Sequence, residues 1–326
     1  MKITSVERRP TLAMLVFLYV ISFLSASAKA QWTFEPSMPT ARWTLTVVAG
    51  LEGTIYAIGG FDYTVALSAM EAYDPLTQTW TRLTPMPTPR ANLAAAVADD
   101  GRIFVFGGHD GSRSLGIVEA YDPGTNTWTN VTPMPTARSG SGAATGYDGK
   151  IYLIGGSQVS PGTEVFVPVV EAYDPRTDSW ASVAPLPVAR SHFSAALGMD
   201  GRIYAMGGRN STSAFLHDVT VYDQSDDTWR TLSPLPTGRY NLAAAVAIDG
   251  RIYAMGGFDE FYRYANAVEV YDPSNDRWTA APSMHTGREG LGGTRGTDDR
   301  IYAIGGLTLK DNYRLGVLTS VEAYTP

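Results

Sequence analysis

The sequence predicts an all-β fold, a six-bladed β-propeller of four-stranded antiparallel blades whose ring is closed by an N-terminal strand joining the last blade. Three observations carry this prediction. First, Trp32, Trp80, Trp128, Trp180, Trp229 and Trp278 are each followed ten residues later by an arginine: Arg42, Arg90, Arg138, Arg190, Arg239 and Arg288. Second, each Arg is followed seventeen residues later by a Gly-Gly pair, beginning at Gly59, Gly107, Gly155, Gly207, Gly256 and Gly305. Self-similarity with a period near 49 residues marks a propeller or array, and overrides the two domains that 326 residues would otherwise suggest. Third, the last unit ends at Val321-Glu322-Ala323-Tyr324 with no Trp, while Trp32 precedes the first Arg as an orphan. The two ends complete one another, so Gln31–Glu35 is expected to supply the outer strand of the sixth blade and remove the exposed sheet edges.

Residues 1–30 precede the repeats. They open with Lys2, Arg8 and Arg9, continue through an apolar run from Leu12 to Leu24, and end in Ala28-Lys29-Ala30. That three-part layout is a secretory signal peptide with a small-x-small cleavage site, so a secreted, periplasmic or extracellular location is expected. The apolar run is too short to serve comfortably as a membrane span. Pro10 and the flanks fit a twin-arginine signal poorly. Loss of the leader, with its surplus of three positive charges, takes the net charge from -7 to -10. An acidic surface repels phosphate backbones, which argues against nucleic acid as a partner. With no cysteine, the chain has neither disulfides nor a lipid-attachment thiol, and its stability must come from the core of residues 31–326.

One unit shows how a blade arises. After Arg90, Asn92–Ala98 is a first strand of small residues, suited to the crowded axis. Asp99-Asp100-Gly101 turns the chain into Arg102–Phe106, which ends in Gly107-Gly108. A polar loop leads to Ile117–Tyr121, Asp122-Pro123 makes the next turn, and Asn126–Val131 carries Trp128. The Trp is placed to fill the widening gap between blades near the rim. Tyr precedes Trp by seven residues in every complete unit. Length varies only between Gly-Gly and Tyr, most in the third unit (Ser157 to Ala172) and the sixth (Leu307 to Ala323). That loop emerges on the same face as the connection between blades, so one face is free to diversify for binding.

Val118-Glu119-Ala120-Tyr121-Asp122-Pro123, Met-Pro-x-x-Arg and the strand ending in Gly-Gly resemble kelch repeats from about Gln31 to Pro326. Two departures fall in the fourth unit, where Tyr222-Asp223-Gln224 lacks the Pro and Val219-Thr220-Val221 lacks the Glu. The resemblance implies a binding module with a protein or glycan ligand, no cofactor and no bound metal. In many kelch domains arginines near the channel mouth contact acidic partners. Here the six arginines are read instead as structural, paired with the Glu that recurs in five of the six units. Candidate ligand-binding residues are those that break the repeat just after Arg (Trp43, Asn92, Ser139, His192, Tyr240, Asn241, Glu289). The variable loops add His109, Arg209, Phe258, Tyr262 and Tyr313.

No catalytic residue is expected on the binding reading. The G-x-S-x-G, H-E-x-x-H and P-loop motifs are missing, and the four histidines have no metal-ligand spacing. A copper-radical oxidase on this propeller needs a cysteine–tyrosine crosslink, which a chain without cysteine excludes. Exported six-bladed kelch proteins also include sialic-acid mutarotases. An alternative is therefore a mutarotase- or epimerase-like sugar enzyme, with His192 and Glu289 as its proton-transfer pair. A deep pocket shared by both would favour the enzyme, and a shallow aromatic rim the binding module.

Overall fold

Small side chains sit where the strands crowd together. The computed structural model describes residues 31–310 and 314–326, so the expected leader and Tyr313 lie outside the described residues. Six first strands surround a central channel: Thr46–Ala49, Ala94–Val97, Gly142–Thr145, Ser194–Leu197, Ala243–Val246 and Gly292–Arg295. Each opens a four-stranded antiparallel meander, here called blades 1 to 6. Blade 2 continues outward through Ile103–Phe106, Val118–Asp122 and Thr127–Asn130. All four residues of Ile103–Phe106 are buried, because neighbouring blades cover both faces of the sheet.

The ring closes as the two chain ends predict. Trp32–Glu35 pairs antiparallel with Val321–Tyr324 as the outer strand of blade 6, with Trp32 opposite Tyr324. Tyr73 and Trp80 hold the same register in blade 1. Every repeat Trp also reaches the preceding blade. Trp32 Nε1 donates to Pro282 O at 2.8 Å, Trp80 to Pro36 O at 2.9 Å and Trp128 to Thr84 O at 2.9 Å.

The fixed Arg-to-Gly-Gly interval has a packing reason. The first glycine of each pair has positive φ and lies against the carbonyl of the next blade's Arg; a Cβ on Gly59 would meet Arg90 O at 2.7 Å. The second glycine donates its N–H to that same carbonyl, as Gly60 does to Arg90 O at 3.0 Å. No side chain fits there without moving the seam.

All six repeat arginines are at most 1% exposed. In blade 2, Arg90 Nη1 meets Glu119 Oε2 at 2.5 Å and Nη2 donates to Val105 O at 3.2 Å, while Thr88 Oγ1 donates to Glu119 Oε1 at 2.7 Å. Burial lowers the basicity of these guanidinium groups and the facing carboxylate opposes that shift. They brace the sheets and present nothing to a ligand.

Candidate functional site

The residue two places after each Arg is Thr44, Asn92, Gly140, His192, Asn241 or Gly290, and all six have positive φ. Glycine and Asn adopt that conformation readily, whereas β-branched Thr44 is held in it against its preference. The reason is a closed circle of backbone hydrogen bonds around the axis. Asn92 N–H donates to Thr44 O (3.0 Å), Gly140 to Asn92 O (2.8 Å), His192 to Gly140 O (2.8 Å) and Asn241 to His192 O (2.8 Å). Gly290 then donates to Asn241 O (2.9 Å), and Thr44 to Gly290 O (2.7 Å) closes the circle. Six satisfied peptides constrict the channel mouth and leave their side chains to line it.

The constricted mouth holds about 90 Å³ and leads into wider stretches of the channel of about 160 and 380 Å³. Asn92, His192 and Asn241 line the mouth, as expected of residues that break the repeat. Trp43, Ser139, Tyr240 and Glu289 do not line that space. They stand one residue earlier, and each pairs through the backbone with the residue just after a Gly-Gly pair: Phe61, Ser157, Phe258 and Leu307. The residues before them are held in these short ladders while the positive-φ residues that follow turn toward the axis, so the two sets occupy an inner and an outer tier.

The inner tier is asymmetric because its two glycines make room for larger neighbours. A Cβ on Gly140 would meet His192 Nδ1 at 3.0 Å, and one on Gly290 would meet Trp43 Cε3 at 3.1 Å. His192 therefore lies over Gly140, with Nδ1 2.8 Å from Ser191 Oγ. Burial first, then the charges of Arg209 and His109, push its imidazole down to about 3. His109 Nδ1 accepts from Gly111 N–H at 3.1 Å, so Nε2 carries the ring hydrogen and faces the Asn92 amide at 3.0 Å.

Glu289 lies on the blade 5–6 side. It is 6% exposed, accepts from Asn241 Nδ2 at 3.1 Å, and burial raises its carboxyl above the usual range. Burial first, and then its negative charge, raise the Tyr240 and Tyr264 phenols. His192 and Glu289 thus have different hydrogen-bond partners and, among the described residues, are linked through Asn241, whose N–H donates to His192 O and whose Nδ2 donates to Glu289. The indole Nε1 of Trp43 is buried with no partner.

His192 is neutral when folded and protonates near pH 6.5 when unfolded, so the unfolded chain binds the extra proton between those limits. Stability contributed by this group is full above about pH 6.5 and falls as pH drops toward 3. His192→Asn, a residue already used at positions 92 and 241, is expected to flatten acid unfolding by about 1.4 kcal/mol per pH unit in that window. Denaturant midpoints at pH 7, 5.5 and 4.5 measure it.

Outside the mouth, an aromatic surface covers blades 4 and 5. Phe215 stacks on Tyr240 at 5.9 Å and meets Tyr262 edge-on at 5.5 Å, while Phe258 meets Tyr264 at 5.1 Å. Arg209 lies over Phe166 at 5.4 Å and over Tyr240 at 6.0 Å. Tyr262 is 76% exposed and Phe261 62% exposed. Phe166 and Glu164 were not singled out from sequence. They stand on a hairpin, Ser157–Ser160 with Thr163–Phe166, formed by the long loop of blade 3. Arg209 Nη2 donates to both Glu164 oxygens, at 2.9 and 2.8 Å, and so fastens this hairpin to blade 4. The Pro161-Gly162 turn before Thr163–Phe166 was the available signal. The long loop of blade 6 likewise pairs Leu307–Lys310 with Arg314–Val317.

Other candidates have local structural duties. Ser139 is buried with its Oγ 3.2 Å from Ser114 Oγ. Asp62, Asp110 and Asn210 accept hydrogen bonds from their own turns. His285 Nε2 donates to Trp32 O (2.8 Å) along the closure seam. Among the described residues no group of three or more His, Asp or Glu is placed to hold a metal ion. No described helix is long and apolar enough to cross a membrane.

Comparison with known proteins agrees with this architecture. The KLHDC2/KLHL20/DRC7 kelch-repeats domain model matches residues 14–186, and the kelch motif model matches 190–236 and 239–285. No curated protein sequence matches the chain. The solved structure of YjhT is 19% identical and superposes with a TM-score of 0.71 over 88% of this chain and 96% of that one. At that identity the likeness speaks for the fold alone.

Proposed function

Since this chain belongs to the kelch-repeat family, we propose that it is an exported recognition module binding a protein or glycan ligand on its loop face. The observation that carries this is the aromatic surface of Phe215, Tyr240, Phe258, Tyr262 and Tyr264, flanked by Arg209 and Glu164. Rigid rings with few rotatable bonds provide contact area at low entropic cost, and exposed groups of this kind mark interaction sites. Asn92 and Asn241 add orienting hydrogen bonds at the mouth, which is too narrow for a drug-sized ligand to enter whole. Export rests on the three-part character of residues 1–30, and is tested by whether the mature protein begins at Gln31.

Glycan-array and pull-down screens of the mature protein test the module. Tyr262→Asn is expected to weaken capture about tenfold or more. Its thermal midpoint should hold, because the ring is mostly exposed and Asn accepts the φ of 59° found there. Capture that is indifferent to this substitution and to Phe258→Ala would remove the surface from consideration.

A mutarotase- or epimerase-like activity is the second reading, and Glu289 favours it. A buried carboxyl with raised proton affinity, held by Asn241 Nδ2 at 3.1 Å beside the mouth, suits proton transfer at an anomeric centre. Accelerated sialic-acid anomer exchange, seen by NMR and lost in both Glu289→Gln and His192→Ala, would replace the binding-only reading.

A further inference from the structure

Blade 4 departs from the buried ion-pair pattern at two positions together. In blades 1, 2, 3 and 5 a Thr two residues before the Arg donates its hydroxyl to the Glu that faces the Arg: Thr40 to Glu71, Thr88 to Glu119, Thr136 to Glu171 and Thr237 to Glu269. Blade 4 has Val188 and Thr220 at these places. Arg190 nevertheless remains 0% exposed.

Blade 6 indicates where its guanidinium is aimed. Arg288 Nη1 donates to Gly305 O and Ser320 O, both at 3.0 Å, which leaves Nη2 to meet Glu322 Oε1 at 2.5 Å. Arg190 has the same posture, with Nη1 donating to Gly207 O at 3.4 Å and Asp218 O at 2.9 Å. Its Nη2 then faces the position of the absent carboxylate. Arg190 Nη2 and Thr220 Oγ1 are both buried without a hydrogen-bond partner among the described residues. The backbone N–H of Val188 corresponds to that of Thr286, which donates to Glu322 at 3.1 Å in blade 6. The Asp218 carboxylate acts on Arg190 through space and, among the described residues, forms no ion pair with it.

A guanidinium cannot shed its proton, so a buried one needs a counter-charge. Exchanging Glu for Thr frees roughly the space of one water, about 30 Å³. We propose that blade 4 holds a halide-sized monovalent anion between Arg190 Nη2, Thr220 Oγ1 and the Val188 N–H, in place of the carboxylate used by the other blades. Chloride is the abundant ion of that size and charge. The site is independent of the loop-face ligand.

The test uses the whole mature protein. Crystals soaked in bromide should give an anomalous peak beside Arg190 Nη2. Replacing gluconate by chloride at constant ionic strength should raise the thermal midpoint by about 2 °C or more. Val188→Thr/Thr220→Glu, which restores the trio of the other blades, should show neither effect. No bromide peak overturns the proposal, as does a peak without a thermal response (an adventitious ion only) or a response that survives in the double variant. If that variant does not fold, Thr220→Val serves instead. It should raise the half-saturating chloride concentration at least tenfold, and an unchanged value overturns the proposal.

Discussion

Glu119→Ala is expected to destabilise the propeller by about 3–5 kcal/mol, the cost of leaving a buried charge without its partner. Glu119 is 1% exposed and Arg90 0% exposed, so water cannot replace the lost carboxylate without opening the blade. Thr88 Oγ1 loses its acceptor, and Arg90 Nη1 keeps only the neutral Thr88 O at 3.1 Å, so its charge is left without a counter-charge. The double variant Arg90→Met/Glu119→Leu should recover most of the loss, since an apolar pair of similar volume removes the charge as well as its partner. Denaturant midpoints of wild type, Glu119→Ala and the double variant decide this. A loss below about 1 kcal/mol in the single variant would mean that the pair contributes little to holding the sheet together.

The second large effect concerns closure. Trp32 is 2% exposed, stacks on Tyr324 at 5.3 Å and donates to Pro282 O, so one residue links two blades. Trp32→Ala is expected to cost about 3–5 kcal/mol. At roughly 2 °C per kcal/mol for a chain of this length, the thermal midpoint falls by about 6–10 °C. Removing residues 31–35 goes further. It exposes Val321–Tyr324 as a bare sheet edge and takes Glu35 away from Arg300 (2.6 Å) and Tyr73 (3.1 Å). Light scattering should then report association through that edge. A truncated protein that stays monomeric with an unchanged midpoint would show that the seam is dispensable.

The fold was open to sequence reasoning because its contacts recur. Each Gly-Gly pair meets the next blade's Arg carbonyl in the same way, and each Tyr faces a Trp across the third and fourth strands. A contact repeated around a ring leaves a repeated residue, and an orphan such as Trp32 points to its missing half. The candidate site was only partly readable for the opposite reason. Asn92, His192 and Asn241 stood out as breaks in the repeat and do line the mouth. Trp43, Ser139, Tyr240 and Glu289 broke it equally, yet occupy the outer tier, since their backbone pairs with the residue after Gly-Gly and only the positive-φ residue that follows turns toward the axis. The aromatic surface joins residues from blades 3, 4 and 5 whose spacing in sequence carries no signal.

By sequence alone this protein is determined as a closed ring of six blades with one variable face, because those properties follow from local turn chemistry and from a pattern that each unit repeats. Tertiary structure alone decided what the exceptions do. Thr220 is legible as a departure from the repeat, but only the folded blade shows that it and Arg190 are both buried away from solvent. The circle of six peptides that narrows the channel likewise joins residues about 50 positions apart, and no local rule connects backbone groups that meet only when the ring is complete.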